Sequence, residues 1–424
     1  MDNRRIIQQS LDYIEDNLQA ELTAAELAEQ AGFSLFHYYR LFQQATGFPV
    51  MQYILRRRLL HGVYAINQGS SKTDAALAYG FDTYAGFYRA FCREFCSTPS
   101  DFLIASRAKR PYRIDMTKED YMRITHKKAA QILQNWNLRE EMITDIYCES
   151  TGNRNENAFY VGDCYVLKFT ANAGKLKKHI EVSKALANIG LLSAVPIPTG
   201  DGSDYVTEGE VYFYLTRRLP GTQMISRRFG EGDGRFVGEI IGQLHLALAS
   251  IEDCISEADL LGTVRDWALP KAKEAMGLSD AFCRDYLDTF SRLYPALPRQ
   301  IIHRDPNPGN IICAEDQWGF IDFELSERNV RIYDPCYAAT AVLSETFGES
   351  NDKWLDIFRD IICGYDSVAK LSEAEQKAIP YVILANQFVC VAWFSEQDKY
   401  REIFETNRKM TLWLIEKFEA LSGF

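Results

Sequence analysis

Three oxygen-bearing side chains at short spacing could perform chemistry together. Asp305 lies in a predicted turn, Asn310 follows five positions later, and Asp322 ends the second of two short apolar runs around a polar turn. The pattern predicts a hairpin that folds Asn310 and Asp322 back beside each other. Together they offer oxygen ligands for Mg²⁺, which needs few carboxylates when phosphate oxygens complete its shell. Asp305 is then left to accept a proton from an attacking hydroxyl, so this stretch carries the groups that phosphoryl transfer requires.

The sequence around these side chains resembles a known pair of loops. His303-Arg304-Asp305, then Asn310, then Asp322-Phe323 at hairpin distance, is similar to the catalytic and metal-binding loops of the protein-kinase-like fold. The resemblance is to the aminoglycoside phosphotransferase and choline kinase branch of that fold. Glu324 stands where protein kinases carry glycine, and the small-molecule kinases commonly depart there. The alternative, a coincidental acidic hairpin, would need all of these polar residues in register.

The resemblance implies a fold and a reaction. We expect an α+β bilobal protein-kinase-like domain with an N-lobe over 125–218 and a C-lobe over 219–424. The implied cofactors are ATP or GTP and Mg²⁺, with Asn310 and Asp322 as metal ligands and Asp305 as the catalytic base. The implied activity is transfer of the γ-phosphate to a hydroxyl of an amino sugar, amino alcohol or similar metabolite.

A second group of residues is expected at the nucleotide. Lys168 is a single cation in the strand pattern 165–169, and Glu181 falls on a predicted helix over 175–188. The resemblance implies that this pair positions the α- and β-phosphates. Lys168 could also be an ordinary edge-strand lysine, and Glu156, Glu208 and Glu210 are alternatives to Glu181. The loop over 150–157 is expected to cover the phosphates with backbone amides, and its candidate contacts are Ser150, Gly152 and Asn153.

Other polar residues of the kinase-like part are assigned structural or acceptor-binding roles. His245, His303 and Asp334 are interpreted as structural residues that support the catalytic loop. The aromatic helical tail over 353–421 is expected to form core and to line the acceptor site. Its candidates for binding a cationic acceptor are Glu396, Asp398 and Glu402.

The first hundred residues carry repeated helix signals. Thr23 and Glu26 form a capping-box pattern, and Ser34 can cap the helix that follows the turn at Gly32. A longer helix from Val50 then precedes a second pair of short helices around Gly80. Two short helices about a glycine-containing turn are the helix-turn-helix pattern, and here it occurs twice.

The internal echo identifies a second resemblance. The first pair of helices contains Gly32-Phe33 and Arg40-Leu41-Phe42, and the second pair contains Gly80-Phe81 and Arg89-Ala90-Phe91 at corresponding places. Thr98-Pro99 follows the second pair. This resembles the AraC-type DNA-binding domain, an all-α fold of two helix-turn-helix units joined by a long helix. We expect this domain over 1–107 and a basic linker over 108–124. A helical bundle that binds protein or packs on the kinase-like part is the alternative.

The resemblance implies that the second helix of each unit enters the major groove of double-stranded DNA. The groove-facing candidates are Leu35, Phe36, Tyr39, Arg40, Gln43, Thr83, Tyr84, Tyr88 and Arg89. Arg56, Arg58, Lys72 and Arg93 are expected to hold phosphates. Leu35, Phe36 and Tyr39 depart from the usual polar base readers, and Gly86 lies inside the second recognition helix.

Composition and charge agree with this division. At 424 residues, two or three domains are expected, and 47% hydrophobic with 25% charged residues is ordinary for a globular protein. Lys and Arg outnumber Asp and Glu by 10 to 4 over 34–110, a net +6, whereas 111–424 carries 35 against 47, a net −12. The basic segment indicates contact with a polyanion, and the acidic half is compatible with a cationic acceptor.

The expected setting is the cytoplasm, without membrane association. The N-terminus shows no signal-peptide pattern, no apolar run reaches membrane-spanning length, and the ten cysteines are scattered. A homodimer is compatible with the sequence, which has no separate dimerisation element. We therefore predict a transcriptional regulator fused to a small-molecule phosphotransferase. The alternative is a regulator whose kinase-like domain senses a nucleotide or metabolite without significant turnover.

Overall fold

The computed structural model describes most of the chain, in two compact units. The described residues are 3–95, 98–106, 111, 113–116, 124–147, 154–225, 228–249, 251, 257–315, 317–349, 351–397 and 400–422. The first unit comprises 1–172 with 197–216, and the second comprises 173–196 with 217–424.

The first unit begins with a series of helices. They are α1 (Asn3–Asp16), α2 (Ala24–Gln30), α3 (Leu35–Thr46), α4 (Val50–Asn67), α5 (Lys72–Ala78), α6 (Tyr84–Phe95) and α7 (Pro99–Ser106). The predicted starts agree with the structure: Thr23 and Glu26 complete a capping box at α2, and the Ser34 hydroxyl caps α3. Gly47 ends α3 in the left-handed region, at φ 77°. The α2–α3 and α5–α6 pairs are the two helix-turn-helix units.

The long helix α4 contributes to two separate hydrophobic cores. One core includes Leu11, Leu27, Tyr38, Phe42 and Ile54, and the other includes Leu59, Val63, Ala76, Phe87 and Phe91. Ile54 and Leu59, five residues apart on α4, belong to different cores. Helix α4 therefore joins the two helix-turn-helix units, because one of its ends is buried in the core of each.

Glu15 ties α1 to α4 through a buried ion pair. Its Oε2 lies 3.0 Å from an Arg57 Nη2 and 3.2 Å from His61 Nε2, and its side chain is 4% exposed. Burial raises the pKa of Glu15, but hydrogen bonds from His61 and Arg57 outweigh it and lower that pKa to about 2. The charged form is therefore favoured in the folded state.

We expect Glu15→Gln to destabilise the helical domain at neutral pH. A pKa that falls from 4.5 to about 2 corresponds to about 3 kcal/mol. Because the folded-state pKa is depressed, this stability is present above pH 4.5 and disappears as the pH falls towards about 2. Calorimetric unfolding between pH 3 and pH 8 would measure it, with Glu29→Gln at an exposed position of α2 as control. Equal unfolding of both variants across that range would contradict the assignment.

The next part of the chain alternates strands and helices. Its elements are α8 (His126–Ile132), β1 (Ile143–Tyr147), β2 (Arg154–Val161), β3 (Tyr165–Thr170), α9 (Ala173–Asn188), β4 (Leu192–Ser193), β5 (Val206–Glu208) and β6 (Val211–Arg217). Five of the strands form one sheet in the order β1-β2-β3-β6-β5. Ala129 and Leu133 pack against Phe159, Phe169 and Phe213, which cover one face of this sheet.

The second unit is mainly helical. Its further elements are β7 (Thr222–Gln223), α10 (Asp233–Leu248), α11 (Leu260–Thr263), α12 (Leu269–Met276), α13 (Asp280–Leu293), β8 (Arg299–Ile302), β9 (Ile311–Cys313), β10 (Trp318–Phe320), β11 (Glu327–Val330), α14 (Tyr333–Thr346), α15 (Asn351–Val368), α16 (Glu373–Ser395) and α17 (Arg401–Glu416). Short strands form the sheets β4-β10-β9-β7 and β11-β8. These short sheets hold the loops that contain the candidate catalytic residues.

Helix α16 is the centre of this unit. Among the described residues, it is the one helix long and apolar enough to cross a membrane, and 67% of its most apolar window is buried inside the protein. It packs against α12, α14 and α17, as a core helix does. The sequence pattern did not single it out, because its apolar residues are interrupted by isolated polar ones.

Two glycines allow α10 and α15 to cross closely. A Cβ on Gly238 would lie 2.0 Å from the Ile361 carbonyl oxygen, and one on Gly364 would lie 2.2 Å from the Arg235 carbonyl oxygen. Any larger residue would push the helices apart. The close crossing brings Tyr365 of α15 to His245 of α10, a contact that supports the candidate site.

Candidate active site

The loop after β8 is fixed by one buried carboxylate. Asp334, in the first turn of α14, accepts the His303 N–H at 2.7 Å on Oδ2 and the Arg304 N–H at 2.9 Å on Oδ1. Asp334 is 0% exposed. These two hydrogen bonds fix the backbone immediately before Asp305. Asp334 therefore anchors the loop and determines where the Asp305 side chain begins.

Asp334 is itself held in place by a buried hydrogen-bond network. His245 Nε2 lies 2.9 Å from Asp334 Oδ2, and His245 Nδ1 lies 2.8 Å from the Tyr365 hydroxyl. Both histidine nitrogens are therefore engaged in the buried network. The structural roles predicted for His245 and Asp334 agree with these contacts.

His303 links the loop to the hairpin that follows it. Its Nε2 lies 3.0 Å from the Ile321 carbonyl oxygen, and its ring packs on Phe320 and Phe323 at centroid distances of 5.5 and 5.0 Å. The side chain is buried completely. As predicted, it is placed to support the loop, and it is not exposed to a substrate.

Asp305 is held by neighbouring amides. Asn307 Nδ2 donates to its Oδ1 at 2.8 Å, and Asn310 Nδ2 donates to its Oδ2 at 3.2 Å and to its carbonyl at 2.9 Å. Burial raises the pKa of Asp305 and the Asn307 hydrogen bond opposes that rise. A carboxylate that is oriented and made more basic is suited to accept a proton from a hydroxyl.

The predicted hairpin brings Asn310 and Asp322 to the same end. Ile311 of β9 pairs with Phe320 of β10, and the Ile321 N–H donates to the Asn310 backbone carbonyl at 3.0 Å. Asp322 follows at φ 75°, a left-handed conformation that is costly for a residue other than glycine. Such strain at the end of a hairpin is typical of a functional position.

The donor set fits a divalent cation. Asp322 lies close enough to Asp305 for its charge to raise the pKa of that carboxyl. A cation between these oxygens would relieve the repulsion between the two carboxylates. The Asn310 side chain can offer its Oδ1 to the cation, because its Nδ2 is the atom that bonds to Asp305. Within the described ranges no group of three or more His, Cys, Asp or Glu side chains could hold a metal. Asn310 and Asp322 are enough protein ligands for a magnesium ion when phosphate oxygens supply its remaining ligands.

The nucleotide candidates are distributed over both units. Lys168 lies on β3 opposite Ala158 and is partly exposed, in the first unit. Glu181 lies on α9 in the second unit, where its Oε1 is 3.7 Å from Lys177 Nζ. Its Oε2 is buried and has no hydrogen-bond partner among the described residues. An orphaned carboxylate oxygen is costly, so it favours a polar partner for Glu181.

Three further candidates lie outside the described residues. Ser150, Gly152 and Asn153 are in the undescribed stretch 148–153, and the predicted loop beyond them is already part of β2. Among the candidates for the acceptor, Asp398 is also outside the described residues, while Glu396 pairs with Lys271. The sequence analysis missed Asn307, which only its proximity to Asp305 could have indicated.

The predicted groove-facing residues occupy the two recognition helices. On α3, Tyr39, Arg40 and Gln43 are exposed; on α6, Arg89 and Arg93 are exposed. Leu35 and Phe36 are also exposed, with Phe36 81% accessible.

Thr83 and Tyr84 have structural contacts in addition. The Thr83 hydroxyl accepts the Gly86 N–H at 3.1 Å, which caps α6. Tyr84 is half-buried, with Lys72 Nζ 5.6 Å from its ring centre. These two residues therefore help to shape the recognition helix as well as facing outward.

Two arginines expected to hold DNA phosphates are engaged elsewhere. Arg56 Nη1 lies 3.0 Å from Glu94 Oε1, and its guanidinium stands 4.6 Å from the Phe95 ring centre. Arg58 donates from Nε to the Leu18 carbonyl at 2.9 Å. Both side chains stabilise packing of α4 with its neighbours, so the expectation of phosphate contacts does not agree with the structure.

Comparison with known proteins matches two separate parts of the chain. A model of the phosphotransferase enzyme family matches residues 150–367, and a model of a helix-turn-helix domain matches residues 27–104. Among curated proteins, homoserine kinase of Phenylobacterium zucineum is 35% identical over 105 residues, 24% of this chain and 32% of that protein. Right origin-binding protein of Escherichia coli is 36% identical over 101 residues, 24% of this chain and 35% of that protein.

The sequence matches cover only part of each curated relative, whereas the structural match covers most of this chain. The chain spans about a third of the length of these curated relatives. The solved structure of a microcompartment-associated aminopropanol kinase covers 69% of this chain and 98% of its own, at 14% identity and a TM-score of 0.54. At that identity the structural likeness establishes the fold.

Proposed function

The chain belongs to the phosphotransferase enzyme family, and we propose that its kinase-like part transfers the γ-phosphate of ATP or GTP to a hydroxyl of a small amino-bearing metabolite. A helix-turn-helix domain is fused in front of it. The predicted family membership and fold class, a helical domain followed by an α+β kinase-like domain, are confirmed.

The arrangement of Asp305, Asn310 and Asp322 supports this proposal most directly. Asp305 accepts the proton of the acceptor hydroxyl while Asn307 and Asn310 keep its carboxylate oriented. Asn310 and Asp322 would hold Mg²⁺, which supplies charge neutralisation on the phosphates. Lys168 and Glu181 are proposed to position the nucleotide, together with Ser150, Gly152 and Asn153.

Two observations support an amino-bearing acceptor. Two similar proteins are a homoserine kinase and an aminopropanol kinase, and each is named for a compound with both a hydroxyl and an amino group. The net −12 over 111–424 favours a cationic acceptor. We propose amino alcohols and amino sugars as the acceptor class.

Release of ADP on addition of an acceptor tests the proposal. A panel of amino alcohols, homoserine, choline and aminoglycosides would be supplied with ATP and Mg²⁺, and product would be identified by mass spectrometry. We expect at least one acceptor to be phosphorylated. We also expect ATP with Mg²⁺ to raise the melting temperature of the wild type but not of Asp322→Ala. Nucleotide binding without release of ADP for any acceptor would favour the alternative, a nucleotide-sensing regulator.

We propose that the helix-turn-helix domain binds double-stranded DNA in the cytoplasm. The exposed Arg40 and Arg89, one on each recognition helix, support this. Each arginine that reads a base is worth about 1–3 kcal/mol, so Arg40→Ala and Arg89→Ala should each weaken specific binding about 5- to 150-fold. Fluorescence anisotropy at several salt concentrations would measure it, with Arg292→Ala on α13 as an exposed control. Unchanged affinity in both variants would overturn the assigned interface.

A further inference from the structure

The chain that leaves the helix-turn-helix domain is docked on the first helix of that domain. Gln8 of α1 donates from Nε2 to the Ile114 carbonyl at 2.9 Å, and its Oε1 accepts the Met116 N–H at 2.8 Å. Met116 is completely buried and belongs to the same hydrophobic core as Leu11. Part of the linker predicted over 108–124 is therefore anchored on the helix-turn-helix domain.

Arg56 of α4 connects the second recognition helix to the five-stranded sheet. Its Nη1 lies 3.0 Å from Glu94 Oε1 on α6, and its Nη2 lies 4.0 Å from Asp145 Oδ2 on β1. On the other side of this carboxylate, His126 Nε2 of α8 lies 3.1 Å from Asp145 Oδ1. All four residues belong to the first compact unit, so these polar contacts join the helix-turn-helix domain to the sheet inside that unit.

The position of the Arg56 guanidinium is well defined. It lies 4.6 Å from the Phe95 ring centre and 5.6 Å from the Phe48 ring centre, and the side chains of Arg56, Glu94 and Asp145 are each at most 17% exposed. Solvent and salt screen partly buried charges less than they screen surface charges. A guanidinium carries five N–H donors in a planar fork, so it can serve both carboxylates at once. A shift of β1 would therefore alter the attraction between Arg56 and Glu94.

The sheet that carries Asp145 also carries the lysine proposed to position the nucleotide. Asp145 of β1 pairs with Phe159 of β2, and Phe159 pairs with Leu167 of β3, the residue before Lys168. Two strand pairings thus separate the contact with Arg56 from this lysine. Because the strands are hydrogen-bonded to one another, a displacement at one strand reaches its neighbours.

At the other end of the contact is a helix that is proposed to bind DNA. Glu94 directly follows Arg93, an exposed candidate for contact with DNA on α6. Resting on the proposed phosphotransferase and DNA-binding functions, we propose that the contact between Arg56 and Asp145 couples nucleotide binding by the kinase-like part to DNA binding by the second recognition helix. The fused domains would then regulate each other within one chain.

Nucleotide should therefore change the affinity for DNA. A duplex selected from a random pool by the wild-type protein would be titrated by fluorescence anisotropy at fixed salt, with Mg²⁺ throughout and ATP added to one series. We expect the Kd for DNA to change at least about fivefold, a usual size for coupling between two sites. Because coupling of this kind is reciprocal, the same duplex should change the Kd for ATP by the same factor.

Three variants separate coupling from simple competition between polyanions. Asp145→Asn removes one charge of the contact, so both ligands should still bind while the effect of one on the other falls below about twofold. Asp163→Asn, at an exposed position in the turn between β2 and β3, removes the same charge from the same sheet and should keep the full effect. In Asp322→Ala, which should not bind nucleotide, ATP should have no effect on DNA. An effect of ATP that persists in Asp145→Asn or in Asp322→Ala would overturn the proposal.

A stability measurement tests the contact itself. The midpoints of thermal unfolding would be compared for Arg56→Gln, Asp145→Asn and the double variant. Because substitutions of residues in contact are not additive, the double variant should lose less than the sum of the two single losses. Additive losses would show that Arg56 and Asp145 do not interact, and the proposal would fail.

Failure of the coupling is distinguishable from failure of the proposed function. The titrations of the wild type measure binding of ATP alone and of DNA alone before the two are combined. A wild type that binds both ligands, each with a Kd that the other leaves unchanged, would overturn only the coupling. A wild type that does not bind one of them would overturn the proposed function of that part, and the coupling with it.

Discussion

Asp305→Asn is expected to reduce phosphoryl transfer about 10²- to 10⁴-fold, the usual contribution of a general base. The substitution keeps the shape of the side chain but removes the charge that accepts the proton. Nucleotide binding should persist, because Asn310 and Asp322 remain at the end of the hairpin. Steady-state kinetics with the acceptor found in the panel would measure kcat, and the thermal shift with ATP and Mg²⁺ would measure binding.

Stability provides an internal check on this variant. Burial raises the pKa of Asp305, so above that pKa the folded protein holds an unfavourable charge. At pH 8 the neutral asparagine relieves that charge but turns an N–H group towards the amide of Asn307 or Asn310, so its melting temperature should stay within a few degrees of the wild type. Asp356→Asn, at an exposed position of α15, serves as control and should keep full activity. An Asp305→Asn enzyme with more than about a tenth of wild-type kcat would exclude Asp305 as the base.

The local part of the site could be predicted from the sequence. Asp305, Asn310 and Asp322 lie within 18 residues, and a short hairpin joins them. Because register and turn length constrain such a hairpin, spacing was enough to place Asn310 and Asp322 together. The same reasoning predicted the capped helices α2 and α3, since capping is a local interaction.

The long-range part could not be predicted. His245 of α10 reaches Asp334 of α14 across 89 positions in the chain, and no periodicity indicates that contact. Arg56 and Arg58 show the same limit. A basic run on α4 is compatible with DNA phosphates, but tertiary packing turned Arg58 towards the Leu18 and Ala20 carbonyls. Which face of a helix is buried depends on neighbours that the local sequence does not specify.

Asp334→Asn is expected to be the most destabilising substitution in the second unit. Asp334 is completely buried, and its two oxygens accept the His303 and Arg304 N–H groups while facing His245 Nε2. An asparagine would present N–H groups to one of these donors and leave it unsatisfied. Breaking a buried, charge-assisted network of this kind costs about 3–5 kcal/mol. For a unit of this size, that corresponds to a fall in melting temperature of roughly 10 °C.

The same substitution should also impair turnover, because the backbone before Asp305 loses its anchor. Tyr365→Phe is the matched comparison, since it removes only the outer hydrogen bond between His245 Nδ1 and the Tyr365 hydroxyl. That loss should cost about 1 kcal/mol. Calorimetry and circular dichroism would rank the variants, with Asp334→Asn well below Tyr365→Phe. If both melt within about 2 °C of the wild type, the loop is held by other contacts, and Asp334 does not anchor the base.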